Sequence, residues 1–389
     1  MTAEPIQTAQ ILAAARSTTG LSELGDVAFL PGLEKFVESV NQEARLSPAG
    51  KASMVERLQR IVANRLRFTA DLTAHPEILE TALLPPVVIA GLPRVGSTKL
   101  QRMLAASGSF QDPLFWQVFN PARIPGASSG KDPRITEAER YVAWRNSTNP
   151  AANAAHHIAV HTVEEESFLL EFSFETMYPM AFASADSYYD WIQRRDRSYT
   201  YEYLAQLLQY LQWQFHREQP KPWILKSPPN LGFEAQILHS MPGARFIMSH
   251  RDPVTIVTSI AAVVKQSRKL YAEHVDAHAI GRWCLHEFST AIRRHLKWRK
   301  ANTGANVLDV AYEDIERKPM DVVRRSYDFL NVELTPAVAA SIESWLEADR
   351  HGSAEIRHEY SLEACGLTAA QIEREFAEYT AAFGRYLQR

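Results

Sequence analysis

The chain has 389 residues, 46% of them hydrophobic and 22% charged, with 42 basic against 45 acidic side chains and a formal net charge of -3. This composition excludes a disordered or fibrous chain, and the near balance of charge supplies no global positive field that would draw nucleic acid or an anionic membrane. Two cysteines, Cys284 and Cys365, are too few for a disulfide framework or an all-cysteine zinc site, and they fit a reducing cytoplasm, where the protein is expected.

The sequence opens Met1-Thr2-Ala3-Glu4-Pro5, with neither a basic leader nor a sustained apolar run, so no secretory signal is expected. Positions 33–40 and 52–72 then place apolar residues at three- and four-residue spacing among Arg and Glu, which predicts amphipathic helices. We read residues 1–84 as a helical N-terminal layer whose amphipathic faces offer a surface for a homodimer. The remainder, 85–389, reads as an α/β core that forms one compact unit with that layer. Four short apolar runs, at 87–90, 223–225, 245–248 and 306–308, suit strands buried on both faces of a parallel sheet, with helices as crossovers. A helical insertion at about 120–220, with helical patterns at 164–177 and 199–216, is long enough to build an acceptor pocket. The longest strongly apolar stretch, 256–264, is far short of the roughly 20 residues needed to span a bilayer, so no membrane insertion is expected.

The first predicted strand runs into Gly91-Leu92-Pro93-Arg94-Val95-Gly96-Ser97-Thr98-Lys99, after which helical spacing resumes. A strand, a glycine-bearing loop and a helix start converge backbone N–H groups and a positive helix end on one spot, which suits a phosphate or sulfate. The spacing of Gly91 and Gly96 matches the loop of nucleotide triphosphatases, but Ser97 stands where their lysine would and Lys99 comes two positions late, which disfavours a kinase. Further along, Ser249-His250-Arg251-Asp252-Pro253 is followed eight residues after Arg251 by Ser259. Two arginines on two strand-to-helix junctions make two anion clamps, as a donor with phosphates at both ends of its ribose requires.

Together these segments resemble the PAPS-dependent sulfotransferases, in particular the bacterial branch with its P-loop-like three-layer fold. The first loop of that family reads G-x-P-R-x-G-[ST]-T and holds the 5'-phosphosulfate, and its R-D-P-x5-S motif holds the 3'-phosphate. The resemblance implies that Pro93, Arg94, Val95, Gly96, Ser97 and Thr98 bind the 5' side of PAPS and of its product PAP, and that Arg251 and Ser259 bind the 3'-phosphate. It extends through Trp116, Glu164-Glu165-Glu166, Leu225-Lys226-Ser227-Pro228, Tyr312-Glu313-Asp314 and Tyr360-Ser361-Leu362-Glu363, and it implies a place near the adenine for Tyr312. Bacterial relatives often read L-K-S-P-x-H, whereas the place of that histidine is held here by Asn230, which cannot take a proton.

Sulfuryl transfer is an in-line displacement that needs a positioned hydroxyl, a base and charge stabilisation on the departing phosphate oxygen. Arg94 and Lys226, the latter at the carboxyl end of its strand, serve the leaving oxygen. For the base, Glu165 leads. Glu164 follows, and His161, His157 and His156 stay open because imidazole titrates in the useful range without help. The carboxylates 164–166 also fit the first turn of a helix, where anions complement the dipole. No metal is expected, since His156 and His157 are adjacent and poorly placed to ligate together. The aromatic residues of the insertion, among them Phe168, Phe172, Phe174 and Tyr178, favour a small hydrophobic or aromatic hydroxyl acceptor. The competing readings are a P-loop small-molecule kinase and a nucleotide-binding protein without catalysis.

Overall fold

The computed structural model describes residues 4–125, 130–304, 306–352 and 361–387. Tyr360 of the C-terminal motif lies outside them. The chain divides into two compact units: Met1–Leu83 with Leu114–Glu218 and Val264–Val275, and Leu84–Pro113 with Gln219–Val263 and Asp276–Arg389.

The second unit holds the sheet. Its strands are β1 (Val87–Ala90), β2 (Ile224–Lys226), β3 (Arg245–His250) and β4 (Val307–Ala311), in the order β2-β1-β3-β4 and all parallel. Each of the four apolar runs predicted from sequence yields a strand, because a strand covered on both faces leaves no room for polar alternation. β1 and β2 are buried at every position, whereas β4, at the sheet edge, is mostly half-buried. Register is fixed by Val87 opposite Ile224 on one side and opposite Arg245 on the other. From β1 the chain departs to β2 on one flank, and β3 then pairs on the opposite flank, so β1 and β3 form the point at which strand order reverses. Ligands of open parallel sheets gather outside the carboxyl ends of the strands at such a point.

The first unit is helical. Leu30–Glu43 and Pro48–Ala74 extend the two predicted N-terminal helices by a turn or less at each end. Ser47 Oγ accepts from the Gly50 amide at 3.0 Å and Pro48 takes the first helical position, two start signals that the apolar spacing alone does not contain. The predicted helix at 199–216 appears as Ser198–Phe215.

The pattern at 164–177 behaves differently. Only Ser167–Leu170 is α-helical, a 3-10 turn follows at Glu171–Ser173, and Phe174 adopts a left-handed backbone with φ 53°. The carbonyls of this stretch are satisfied from outside the helix ladder. Tyr188 Oη donates to the Phe174 and Thr176 carbonyls at 3.1 and 2.9 Å, and Thr200 Oγ1 donates to the Glu175 carbonyl at 3.1 Å. Glu164 and Glu165 therefore precede a helix rather than occupy its first turn, and the helix-dipole explanation for them is withdrawn.

Gly50 is required for packing: a Cβ there would lie 1.7 Å from the Tyr271 carbonyl oxygen, and backbone cannot yield that distance cheaply. Gly50→Ala should cost about 3 kcal/mol of stability through overpacking, read as a lowered urea midpoint; an unchanged midpoint would show that the helix shifts freely past residue 271.

Candidate active site

The loop after β1 runs from Gly91 to the start of the helix Ser97–Ala105. Arg94 has φ 67° and Gly96 φ 78°, so the loop turns through two left-handed residues before the helix begins. At residue 96 a side chain would face two obstacles. The left-handed backbone favours glycine, and a Cβ would stand 3.1 Å from Cδ2 of Tyr312.

The second motif meets this loop directly. Arg94 Nε donates to Ser259 Oγ at 3.1 Å, and Arg251 Nη1 donates to the Arg94 carbonyl at 2.9 Å. The Arg251 guanidinium lies 4.0 Å over the Tyr312 ring. Lys226 Nζ donates to Thr98 Oγ1 at 3.2 Å, and the lysine is only 2% exposed. Arg94, Ser97, Thr98, Lys226, Arg251, Ser259 and Tyr312 thus gather at the carboxyl edge of β1, β2 and β3. Asp252 does not neutralise Arg251 in an ion pair. It caps its own helix, accepting from the Thr255 amide at 3.0 Å and hydroxyl at 2.7 Å. Lys99 points elsewhere, to an ion pair with Glu316 at 2.8 Å.

A family model described as the sulfotransferase family matches residues 85–336. The chain belongs to the sulfotransferase family. This membership makes it a PAPS-dependent enzyme, and the kinase reading gives way. Among solved structures, sulfotransferase STF9 from Mycobacterium avium is 26% identical over 98% of each chain, with a TM-score of 0.83. Sulfotransferase STF1 from Mycobacterium tuberculosis H37Rv shares the fold at 24% identity and a TM-score of 0.82, covering 96% of this chain and 99% of that one. A search of curated proteins finds no match. Among the described residues of the sulfotransferase, no helix is long and apolar enough to cross a membrane.

Sequence reading missed the support behind Arg251. Its amide donates to Tyr379 Oη at 3.4 Å, and the same hydroxyl lies 3.3 Å from His250 Nδ1. His250 Nε2 bonds Asp309 Oδ1 at 2.9 Å, and Arg299 Nη2 donates to Asp309 Oδ2 at 2.9 Å. Tyr379 Oη also donates to the Arg251 carbonyl at 3.4 Å. Burial holds the His250 pKa below its ordinary value, against the pull of Asp309. Burial would raise Asp309, yet the bonds from His250 and Arg299 keep it below the usual carboxylate range. No local signal marks Tyr379 as a partner of residue 251, because the two lie 128 positions apart.

In the helical unit, Glu164 is 2% exposed and Glu165 is half-buried. Glu164 Oε1 accepts from the Glu165 amide at 2.9 Å and lies 3.2 Å from His156 Nε2, while Ser167 Oγ donates to Glu165 Oε2 at 3.1 Å. His156, Glu164 and Glu165 bring donor atoms within 4.8 Å of one another, a set able to ligate a divalent cation. His161 is exposed and stands outside this group, as does His157, whose Nδ1 lies 3.3 Å from Asn153 Nδ2. Phe168, Phe172 and Phe174 are each at most 1% exposed and belong to the core.

Because the unfolded chain protonates His250 near pH 6.5 and the folded chain only at lower pH, acid favours unfolding across that window. The melting temperature should fall as pH drops from 7.5 to 5.5, and His250→Gln should flatten this slope. Equal slopes in the two proteins would place the acid sensitivity elsewhere.

Proposed function

We propose that the sulfotransferase moves a sulfuryl group from PAPS to the hydroxyl of a small hydrophobic or aromatic alcohol or phenol. The observation that carries this reading is the meeting of the two arginine motifs: Arg94 of the loop on Ser259, and Arg251 on the Arg94 carbonyl. The site suits a bisphosphorylated donor, since Gly96 keeps the loop free of a side chain where the Tyr312 ring approaches. In this assignment the amides of residues 93–98 and Arg94 hold the 5' side, Arg251 and Ser259 hold the 3'-phosphate, and Tyr312 lies by the adenine.

Transfer forms a bond from the acceptor oxygen to sulfur and breaks the bond from sulfur to the donor's phosphate oxygen, which leaves with PAP. Lys226 and Arg94 stabilise the negative charge on that oxygen, and Lys226 is set for the task by its bond to Thr98. The hydroxyl proton goes to a carboxylate, for which Glu165 is the choice. It is half-buried and reachable, whereas the Glu164 side chain is buried and its Oε1 is taken by the Glu165 amide and His156. His161 sits exposed outside the cluster. The reading carries with it a cytoplasmic enzyme that works without a metal.

Arg251→Ala should weaken PAP binding about 10- to 100-fold, as the loss of charged hydrogen bonds to a phosphate implies. Calorimetric titration in EDTA reads this, and unchanged affinity would remove Arg251 from the donor site. Glu165→Gln should lower kcat with a panel of alcohols and phenols by about 100-fold or more while PAP affinity holds. Wild-type turnover in that variant would pass the role of base to Glu164 or a histidine.

A further inference from the structure

The helical unit contains a cleft of about 380 Å³. One wall is a chain of four rings: Phe119 and Tyr141 at 4.7 Å between centroids, Tyr141 and Trp144 at 5.6 Å, and Trp144 and Tyr271 at 5.6 Å. Beside the rings the lining carries Arg57 and Arg60, three positions apart on the helix Pro48–Ala74 and hence on one face.

Those two arginines share a single carboxylate. Arg57 takes both oxygens of Glu171, at 2.6 and 2.8 Å, in a fork-to-fork pair. Arg60 reaches the same group only at 4.0 Å, gives Nη1 to the Phe119 carbonyl, and lays its guanidinium 4.0 Å over the Phe119 ring. Among the described residues its buried Nη2 makes no hydrogen bond. Two guanidiniums and one carboxylate leave one positive charge in a site that water reaches poorly, with the Arg60 side chain 12% exposed. Burial of that charge, only partly offset by Glu171, lowers the Arg60 pKa to about 10. A charge so placed is at its most favourable beside a counter-ion that brings its own hydrogen-bond acceptors.

We infer that this cleft binds a monoanion with a flat apolar body, of the class of aryl carboxylates, its carboxylate on Arg60 and its ring system against the wall from Phe119 to Tyr271. A monoanion matches the one missing counter-charge. A volume of 380 Å³ falls within the range of small-molecule pockets. Arg67 and Arg140, also in the lining, are matched in number by Glu137 and Glu56, so they add no second vacancy.

The test titrates the full chain with 2-naphthylacetate and with the matched neutral amide, 2-naphthylacetamide, which has no hydroxyl to enter an acceptor site, first without PAP and then in saturating PAP so that the phosphate loop is filled. The acid should bind at least tenfold more tightly than the amide, and its affinity should hold in PAP. Arg60→Gln should abolish this preference, and Arg60→Lys should keep part of it. Trp144→Leu, in the half-buried stretch of the ring wall, should weaken acid and amide alike several-fold and keeps the test open if the buried arginine cannot be replaced. Equal affinity for acid and amide, displacement of the acid by PAP, a preference that survives in Arg60→Gln, or an unchanged affinity in Trp144→Leu would each overturn the proposal.

Discussion

The two arginine motifs meet through one contact, the bond from Arg94 to Ser259, with Arg251 returning to the Arg94 carbonyl. It joins a loop that follows β1 to a helix and a motif that follow β3. The contact exists because the two strands are neighbours in parallel register, Val87 beside Arg245 and Ala90 beside Met248, so their carboxyl ends arrive at one level. Both arginines are thereby tied to one loop, Arg94 through its guanidinium and Arg251 through the Arg94 carbonyl. The arrangement gives the loop a reason to be rigid, and rigidity at this point spares the reaction the reorganisation that a solvated site would require.

The sheet and the loop were legible because their signals are local. Four apolar runs mark four parallel strands, and Gly91 through Thr98 read as the loop between a strand and a helix without reference to anything distant. The stretch from 164 to 177 misled for the converse reason. Its apolar spacing fits a helix, but Tyr188 and Thr200 take over its carbonyls and Phe174 turns left-handed, and those partners cannot be seen from the segment itself. Tyr379 was invisible in the same way. Its value to Arg251 comes from packing across the fold, which leaves no mark in the spacing of residues around it.

The cluster of His156, Glu164 and Glu165 falls between these cases. The residue types were singled out by their chemistry, while the pairing of His156 rather than His161 with the carboxylates follows from the turn that precedes Ser167. Placing a carboxylate before a short helix instead of within its first turn removes the dipole as its partner and leaves the imidazole and neighbouring amides to set its character.

Gly96 and Tyr312 carry a consequence for how such a site changes over generations. The glycine holds a left-handed backbone and leaves only 3.1 Å between a notional Cβ and the tyrosine ring, while that ring also supports the Arg251 guanidinium. The left-handed loop position and the ring beneath the Arg251 guanidinium are therefore geared together. A change of shape at either position would have to be matched at the other.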